Sequence, residues 1–244
     1  PKRETRSFQL PVYSMSNTPP RTPWPRSFLK RQGHATRAQK RALAAHWDTL
    51  GIDCSYGFVF DPPTHFKRQA PLVLEVGFGM GHNLVAQAKA HPEWDFLGVE
   101  VHRPGVGATI MKLVEEEVSN VRLVRHDVLN LLRDHLVVRC LHEVYVFFPE
   151  PWPRQKDARK RLIRPLILEL LEPCLLPGAP LRLATDIEAY ADHAQGVFET
   201  RPAWQLVSTE RPAWRSVTMY EQKGLEEGRA IHDLCFSFTG LEPG

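Results

Sequence analysis

The stretch that decides the fold is "PLVLEVGFGMG", residues 71–81. Its first half is a continuous apolar run interrupted only by Glu75, which is typical of a strand buried on both faces of a parallel sheet. Its second half carries glycines at alternate positions. Gly77 allows a sharp turn, while Gly79 and Gly81 let the backbone approach a ligand and the following helix closely. We predict a strand that ends in a ligand-binding turn.

Outward from this segment, strands and helices alternate. We predict further strands at 95–102, 121–127, 142–148 and 179–186, with helices at 82–91, 104–118, 128–136 and 161–175. Since parallel crossovers are right-handed, this order predicts an α/β fold with a doubly wound, mostly parallel Rossmann-like sheet. The β-rich segments 203–210 and 231–240 are expected to add an antiparallel strand pair at the far edge.

The N-terminal region differs from the rest in charge. Residues 1–70 hold 12 Lys/Arg and 4 Asp/Glu, whereas the remaining 174 hold 19 and 24. We expect residues 1–33 to be a flexible basic arm and residues 34–244 to form the folded domain, which begins with a helix at 36–52 capped by Thr36. The arm suits a polyanion, although a solvated tail explains its charge equally well.

Composition excludes several classes of protein. The 43% hydrophobic and 24% charged residues are those of an ordinary globular protein, and no apolar run reaches the ~18 residues of a membrane span. The four cysteines are scattered without metal-ligand spacing, so we expect reduced thiols and no metal. The charged N-terminus is unlike a signal peptide, which favours the cytoplasm.

Acidic residues stand at the ends of the predicted strands, where doubly wound folds bind ligands. Glu100 lies about twenty residues beyond the glycines, where an acid accepts hydrogen bonds from both ribose hydroxyls of an adenosine. Asp127 suits the exocyclic amine of adenine. Each has a plainer interpretation, as an exposed acid for Glu100 and as a helix N-cap for Asp127 and Asp186. The full set is Glu75, Glu100, Asp127, Glu150 and Asp186.

Together the acids and the glycine turn select the ligand. The turn lacks the full G-x-G-x-x-G pattern, and carboxylates crowding the cleft would repel a diphosphate. They would attract a cationic group. The sequence therefore predicts S-adenosylmethionine, whose sulfonium is positively charged, as the cofactor.

The fourth strand ends in "YVFFPEPWPR" (145–154), followed by a basic run. The prolines fix the backbone of Glu150 so that its carboxylate faces the cleft. Trp152 is interpreted either as a platform for a target base or as packing beneath the turn. The run predicts contacts with nucleic-acid phosphates through Arg154, Lys156, Arg159, Lys160 and Arg161.

At this point the sequence resembles the bacterial tRNA (guanine-N7-)-methyltransferases. Their signature is a phenylalanine and a Pro-Asp-Pro-Trp turn followed by a basic run, and here it reads "FFPEPWPRQKDARKRLIRP". The resemblance spans about residues 26 to 238 in the family's order. Its other segments are "RSFLKRQGHATRAQKRAL" (26–43), "LEVGFGMG" (74–81), "GVEVH" (98–102), "ATD" (184–186) and "VTMYEQKG" (217–224).

The resemblance implies a class I S-adenosylmethionine-dependent methyltransferase that acts on tRNA; we expect a monomer or homodimer, and the sequence does not decide between them. It implies that Glu150 is the catalytic acid and that the run 154–161 contacts RNA. The implied cofactor contacts are Glu75, Glu100, Asp127 and Glu150, and they add to Gly77, Gly79 and Gly81, which the glycine turn itself indicates. The implied substrate contacts are Arg154, Asp186, Thr218, Met219, Tyr220 and Glu221.

The sequence departs from the family pattern at four positions. Glu150 replaces an aspartate, Arg154 a lysine, and Asp157 a histidine. Met219 removes the cation of the family's Thr-Lys-Phe-Glu motif. These departures leave two alternatives open: a divergent member with another RNA or a small-molecule acceptor, or a non-catalytic RNA-binding protein of the same fold.

Overall fold

The computed structural model describes residues 33–240. The predicted basic arm therefore lies outside the described residues, apart from Gly33. The described chain forms one sheet with the strand order β1-β4-β3-β2-β5-β6-β8-β7. Its strands are β1 (Gly51–Ile52), β2 (Leu72–Val76), β3 (Asp95–Val99), β4 (Val121–Val124), β5 (Leu141–Phe147), β6 (Pro180–Thr185), β7 (Trp204–Ser208) and β8 (His232–Phe238).

The predicted topology is confirmed. Strands β1 to β6 pair in parallel, β8 pairs antiparallel with β6, and β7 pairs antiparallel with β8. The α-helices are α1 (Arg37–Leu50), α2 (Pro62–Phe66), α3 (His82–Ala90), α4 (Arg103–Glu115), α5 (Val128–Asn130), α6 (Pro165–Leu171), α7 (Glu188–Glu199) and α8 (Met219–Glu226).

Helices cover both faces of the sheet. Side chains of α1, α3 and α4 pack against one apolar cluster of strand residues, and those of α5, α6 and α7 pack against the other. Strand residues alternate between the clusters: Val73 belongs to the first, whereas Leu72 and Leu74 belong to the second. This two-sided burial explains the continuous apolar runs of the central strands.

The first helix begins as predicted and ends earlier. Thr36 caps α1 through a capping box with Gln39. The helix packs on α4 at Gly107, where an added Cβ would lie 2.8 Å from the Cβ of Gln39. The predicted helical residues Gly51 and Ile52 instead form β1, because Ile52 is buried in register with Val124 of β4.

The structure also differs from the predicted helix 161–175. A 3₁₀ helix, Gln155–Lys160, occupies the basic run, and α6 begins only at Pro165. Proline suits the first turn of a helix but forces the preceding residue to be extended, and Arg164 has φ −158° and ψ 163°. In the predicted helix 128–136, α5 gives way to a π-helical turn, Leu131–His135.

The strand order reverses between β2 and β5. Both neighbours of β2 are parallel to it, but the chain proceeds to β3 and β4 on one side and to β5 and β6 on the other. Doubly wound sheets bind ligands in the crevice at the carboxyl ends of the strands at such a point. Here that crevice lies between the glycine turn after β2 and the proline-flanked Glu150 after β5.

Candidate active site

The glycine turn after β2 is open on one side and packed on the other. All three glycines have positive φ: 72° at Gly77, 56° at Gly79 and 74° at Gly81. A Cβ on Gly77 or Gly79 would meet no atom within 4 Å, so an open space adjoins the turn there. On the packed side, a Cβ on Gly81 would lie 2.3 Å from Oγ1 of Thr109 in α4. The turn therefore presents backbone to the crevice, as a ligand-binding turn must.

Glu100 holds this turn in place. Its Oε2 accepts a hydrogen bond from the backbone N–H of Gly79 at 2.9 Å. Its Oε1 accepts from the N–H groups of Val101 and His102 at 2.7 and 2.9 Å. Since a carboxylate offers about four acceptor sites, there is still room for a ribose hydroxyl. The bond to Gly79 was not predicted from the sequence, and the ribose contact stays a prediction.

Glu75 lies beneath the turn and is only 3% exposed. Its Oε2 accepts a hydrogen bond from Nδ2 of Asn83 at 2.8 Å. Burial raises the pKa of Glu75 to about 8, so the side chain is mostly neutral at pH 7. Its contact with the cofactor stays a prediction, and the structure adds Asn83 as its partner.

Asp127 caps α5. Its Oδ1 accepts a hydrogen bond from the backbone N–H of Leu129 at 3.0 Å, which confirms the N-cap interpretation. Its contact with adenine stays a prediction, since a capping carboxylate can accept further hydrogen bonds.

The turn that carries Glu150 is conformationally strained. Phe148 and Trp152, which flank Pro149-Glu150-Pro151, have positive φ values of 50° and 41°. Such a conformation costs of order 1–3 kcal/mol for a non-glycine residue and persists only where surrounding contacts impose it. The Phe148 N–H donates to the Ala184 carbonyl at 2.7 Å and anchors the turn to β6. Glu150, half-buried, is presented from a fixed backbone.

Arg161 holds this turn in place by hydrogen bonds. Its guanidinium donates to the carbonyls of Pro151 at 3.1 Å and of Ala189 at 2.9 Å, and it lies over the ring of Tyr190. The residue is 3% exposed, so its predicted phosphate contact does not fit the structure. The cause is tertiary, because the turn's carbonyls and the first turn of α7 surround the guanidinium.

Of the other cations in the basic run, Lys160 is held by contacts within the protein and three are exposed. Lys160 lies 4.5 Å from the ring centroid of Trp152, and its Nζ lies 2.6 Å from Oδ1 of Asp157. Trp152 thus packs within the turn against a cation, as in the second interpretation of this residue. The hydrogen bond from Lys160 lowers the pKa of Asp157. The exposed cations are Arg154, Lys156 and Arg159.

Asp186, after β6, is paired with a cation that was not predicted from the sequence. Arg229 donates to its Oδ2 from Nε at 2.9 Å and from Nη2 at 2.7 Å. The alternative role of Asp186 as a helix cap is wrong, since the N-cap position of α7 is Ile187, whose N–H donates to Thr185. Its substrate contact stays a prediction.

The segment 218–221 has both exposed and buried residues. Thr218 caps α8 by accepting a hydrogen bond from the Glu221 N–H at 3.1 Å. Met219 and Tyr220 are 65% and 64% exposed. Glu221 is 2% exposed and accepts hydrogen bonds from Arg211 and Arg215. Met219 and Tyr220 are therefore open to solvent and Glu221 is held inside, and the substrate contacts of this segment stay predictions.

Curated proteins resemble most of this chain. A family model described as "Putative methyltransferase" matches residues 69–234. A tRNA (guanine-N(7)-)-methyltransferase of Colwellia psychrerythraea is 41% identical over 217 residues, covering 87% of this chain and 88% of that protein. Proteins of the same name from Leifsonia xyli and Escherichia coli K12 are 42% and 40% identical, over 86% of this chain and 94% and 90% of theirs.

The chain belongs to the tRNA (guanine-N7-)-methyltransferase family.

Solved structures agree with this family's fold. The 16S rRNA methyltransferase KamB superposes with a TM-score of 0.55 at 13% identity, over 78% of this chain and 98% of that one. A 16S rRNA (adenine(1408)-N(1))-methyltransferase variant from Catenulisporales acidiphilia, solved with S-adenosylmethionine, has a TM-score of 0.54 at 18% identity, over 76% and 94%. At these identities the similarity concerns the fold alone.

Two further observations concern metal binding and membrane crossing. Within residues 33–240, no three His, Cys, Asp or Glu side chains are grouped so as to hold a metal ion. Over the same range, none of the helices has both the length and the apolar surface that crossing a bilayer requires.

Proposed function

We infer that this protein transfers a methyl group from S-adenosylmethionine to N7 of a guanine in tRNA. The observation that carries the inference is the pair of turns at the β2/β5 crevice. One is an open glycine turn held by Glu100, and the other is a strained turn that presents Glu150. Membership of the family supports the reaction and the substrate class.

The cofactor fits the β2 side of this crevice. The open space next to Gly77 and Gly79 leaves the backbone accessible, and carboxyl groups stand at or near the ends of β2, β3, β4 and β5. We assign the ribose hydroxyls to Glu100, the adenine amine to Asp127, and the remaining contacts to the glycine turn, Glu75 and Glu150. When bound, S-adenosylmethionine supplies an electrophilic methyl group on a cationic sulfur.

The residues of the acceptor side position the guanine and stabilise charge. N7 of guanine carries a lone pair in the plane of the ring and no proton, so no strong base is required for attack. The purine gains positive charge as the methyl bond forms. Preorganised carboxylates at Glu150 and Asp186 stabilise that charge, and Arg229 fixes the orientation of Asp186.

The exposed cations beside Glu150 suit an RNA backbone. Arg154, Lys156 and Arg159 follow the Glu150 turn directly and are open to solvent, so phosphates next to the target nucleotide can reach them. A guanine within folded RNA must leave its stack to reach the crevice. Exposed Met219 and Tyr220 offer apolar surface to such a base.

The wider predictions follow from this substrate. We propose tRNA as the macromolecular partner and the cytoplasm as the compartment, because tRNA is modified where it is processed. The expectation of a monomer or homodimer stays a prediction.

The test is transfer of radiolabelled methyl from S-adenosylmethionine to unfractionated tRNA, followed by nucleoside analysis for 7-methylguanosine. Glu150→Ala serves as the matched control, since it removes the proposed reactive-centre carboxylate alone. Labelling of a small molecule but not tRNA would indicate the divergent alternative. Tight tRNA binding without any transfer would indicate the non-catalytic alternative.

A further inference from the structure

We propose that Arg215 is a positioning residue that fixes the substrate segment 218–221 relative to the reactive centre. The proposal deepens the proposed function and rests on it. The residue was not predicted from the sequence, and it lies in residues 209–218, which we call the covering segment. This segment lies over the sheet face that also carries Glu75.

Arg215 is the most enclosed cation of the described chain, with a side chain 0% exposed. Its guanidinium makes two bidentate pairs. Nη1 and Nη2 donate to Glu221 in α8 at 2.7 and 3.0 Å. Nε and Nη2 donate to Asp233 in β8 at 2.8 and 3.0 Å. One side chain therefore ties the helix that follows Thr218 to the sheet.

The same guanidinium reaches the turn that carries Glu150. It lies 5.5 Å from the ring centroid of Phe147 and 5.6 Å from that of Phe148. Phe148 is the strained residue that precedes Pro149-Glu150-Pro151. Arg215 thus contacts both proposed acceptor-side elements, the substrate segment and the reactive turn.

Further hydrogen bonds join the covering segment to the cofactor side of the crevice. Gln87 in α3 donates to the Trp214 carbonyl at 2.9 Å, and the Ser216 N–H donates to Oδ1 of Asn83 at 3.3 Å. Asn83 is the residue that donates to Glu75. The Trp214 ring also lies 5.2 Å from that of Tyr145 in β5. The covering segment therefore contacts residues on both the β2 side and the β5 side of the crevice.

Charge is balanced within this cluster. Arg211 donates to Glu221 at 3.0 Å and to the Arg215 carbonyl at 2.7 Å, so two arginines face two carboxylates. Burial opposes ionisation of Glu221, but the hydrogen bonds from Arg215 and Arg211 outweigh it and lower its pKa. Buried ion pairs contribute little net stability, so we assign this one a geometric role: a planar guanidinium can orient two carboxylates at once, whereas an ammonium is a point charge without that fork.

The experiment compares Arg215→Lys with Arg201→Lys. Arg201 lies two residues after the last residue of α7, at the end away from Asp186, and pairs with Glu172, which is 4% exposed. Both variants replace one arginine that is paired with a buried glutamate. We measure the folded fraction, the Kd for S-adenosylmethionine, and kcat and KM for tRNA.

We expect Arg215→Lys to bind S-adenosylmethionine nearly as wild type does. Its kcat for tRNA should fall by about tenfold or more, because small misplacements of reacting groups are costly. Arg201→Lys should retain the wild-type kcat. If Arg215→Lys does not fold, Glu221→Gln, which preserves volume, should show the same separation of kcat from cofactor affinity.

Two results would overturn the proposal. One is a wild-type kcat in folded Arg215→Lys or Glu221→Gln. The other is loss of cofactor binding and kcat in proportion to the loss of folded protein, which indicates a structural role alone. If wild type itself transfers no methyl group, the proposed function fails instead. Unchanged hydrogen exchange of the α8 amides in Arg215→Lys would then count against positioning.

Discussion

The backbone around Glu150 is held in one conformation by neighbouring residues. Two prolines limit its backbone, and two non-glycine residues with positive φ flank it. Arg161 donates to the carbonyl of Pro151 from within the protein. Strain of this kind requires compensating contacts, and here those contacts fix one half-buried carboxylate at the β5 side of the crevice.

For Glu150→Ala we expect a methylation rate lower by about a hundredfold or more, because a preorganised charge at the reactive centre is lost. The fold and most of the tRNA affinity should be unchanged, as measured by circular dichroism and filter binding. Glu150→Asp should remain active, since a rotamer change can absorb one methylene. A wild-type rate in Glu150→Ala would remove this residue from the mechanism.

Glu100 holds the glycine turn and is the proposed partner of the ribose hydroxyls. Glu100→Ala should weaken S-adenosylmethionine binding by about 1–3 kcal/mol, the cost of unsatisfied polar partners. Part of that loss comes from the Gly79 N–H, which loses its acceptor. Calorimetry measures the affinity, and Glu100→Gln, which keeps an acceptor oxygen, should lose less. An unchanged affinity in folded Glu100→Ala would exclude Glu100 from the site.

At the scale of elements, the basic run is not a uniform surface. Within the 3₁₀ helix and its flanks, Arg154, Lys156 and Arg159 face solvent. Lys160 lies on Trp152, and Arg161 is buried. The interruption at Pro165 separates this basic element from the apolar helix α6. We therefore assign the proposed phosphate contacts to the exposed three.

We expect charge reversal of Arg154, Lys156 and Arg159 to weaken tRNA binding and flatten its salt dependence. Each lost phosphate contact lowers the log–log slope by about 0.7–0.9. The matched control reverses Lys67, Lys89 and Arg139, three exposed cations on the amino side of β2, β3 and β5. Fluorescence titrations at several salt concentrations measure both slopes. Equal flattening by the two triples would place the RNA surface elsewhere.

At the scale of the whole molecule, the sheet buries a carboxyl group in its centre. Glu75 sits on β2, flanked by β3 and β5 and covered by α3 and the covering segment. Burial raises its folded-state pKa to about 8 from the ordinary glutamate value of 4.5. Between these values the folded protein keeps a proton that the unfolded chain releases.

The free energy of unfolding should therefore fall as pH rises from about 4.5 to about 8. A single group contributes up to about 1.4 kcal/mol per pH unit in this window. Glu75→Gln should remove that slope and be the more stable protein at pH 8. Urea unfolding at several pH values measures it, with exposed Glu199→Gln as control. The same slope in wild type and Glu75→Gln would show that the buried carboxyl group has an ordinary pKa.

The sequence by itself determined most strands of the doubly wound sheet, the helices between them and their order. Apolar periodicity, the glycines at 77, 79 and 81, and the Thr36 cap are local signals, because they depend on backbone geometry within a few residues. Parallel pairing then places all strand ends, and hence the acids, along one edge. For this reason the doubly wound sheet and the position of the crevice could be predicted.

Only the tertiary structure decided what each polar side chain does there. Arg161 finds its acceptor Ala189 28 residues away, and Asp186 its partner Arg229 43 residues away. Arg215 and Glu221 are buried because β8 supplies Asp233 and the sheet supplies aromatic rings. Burial and charge pairing depend on such distant partners, and these partners cannot be inferred from the spacing of residues in the sequence.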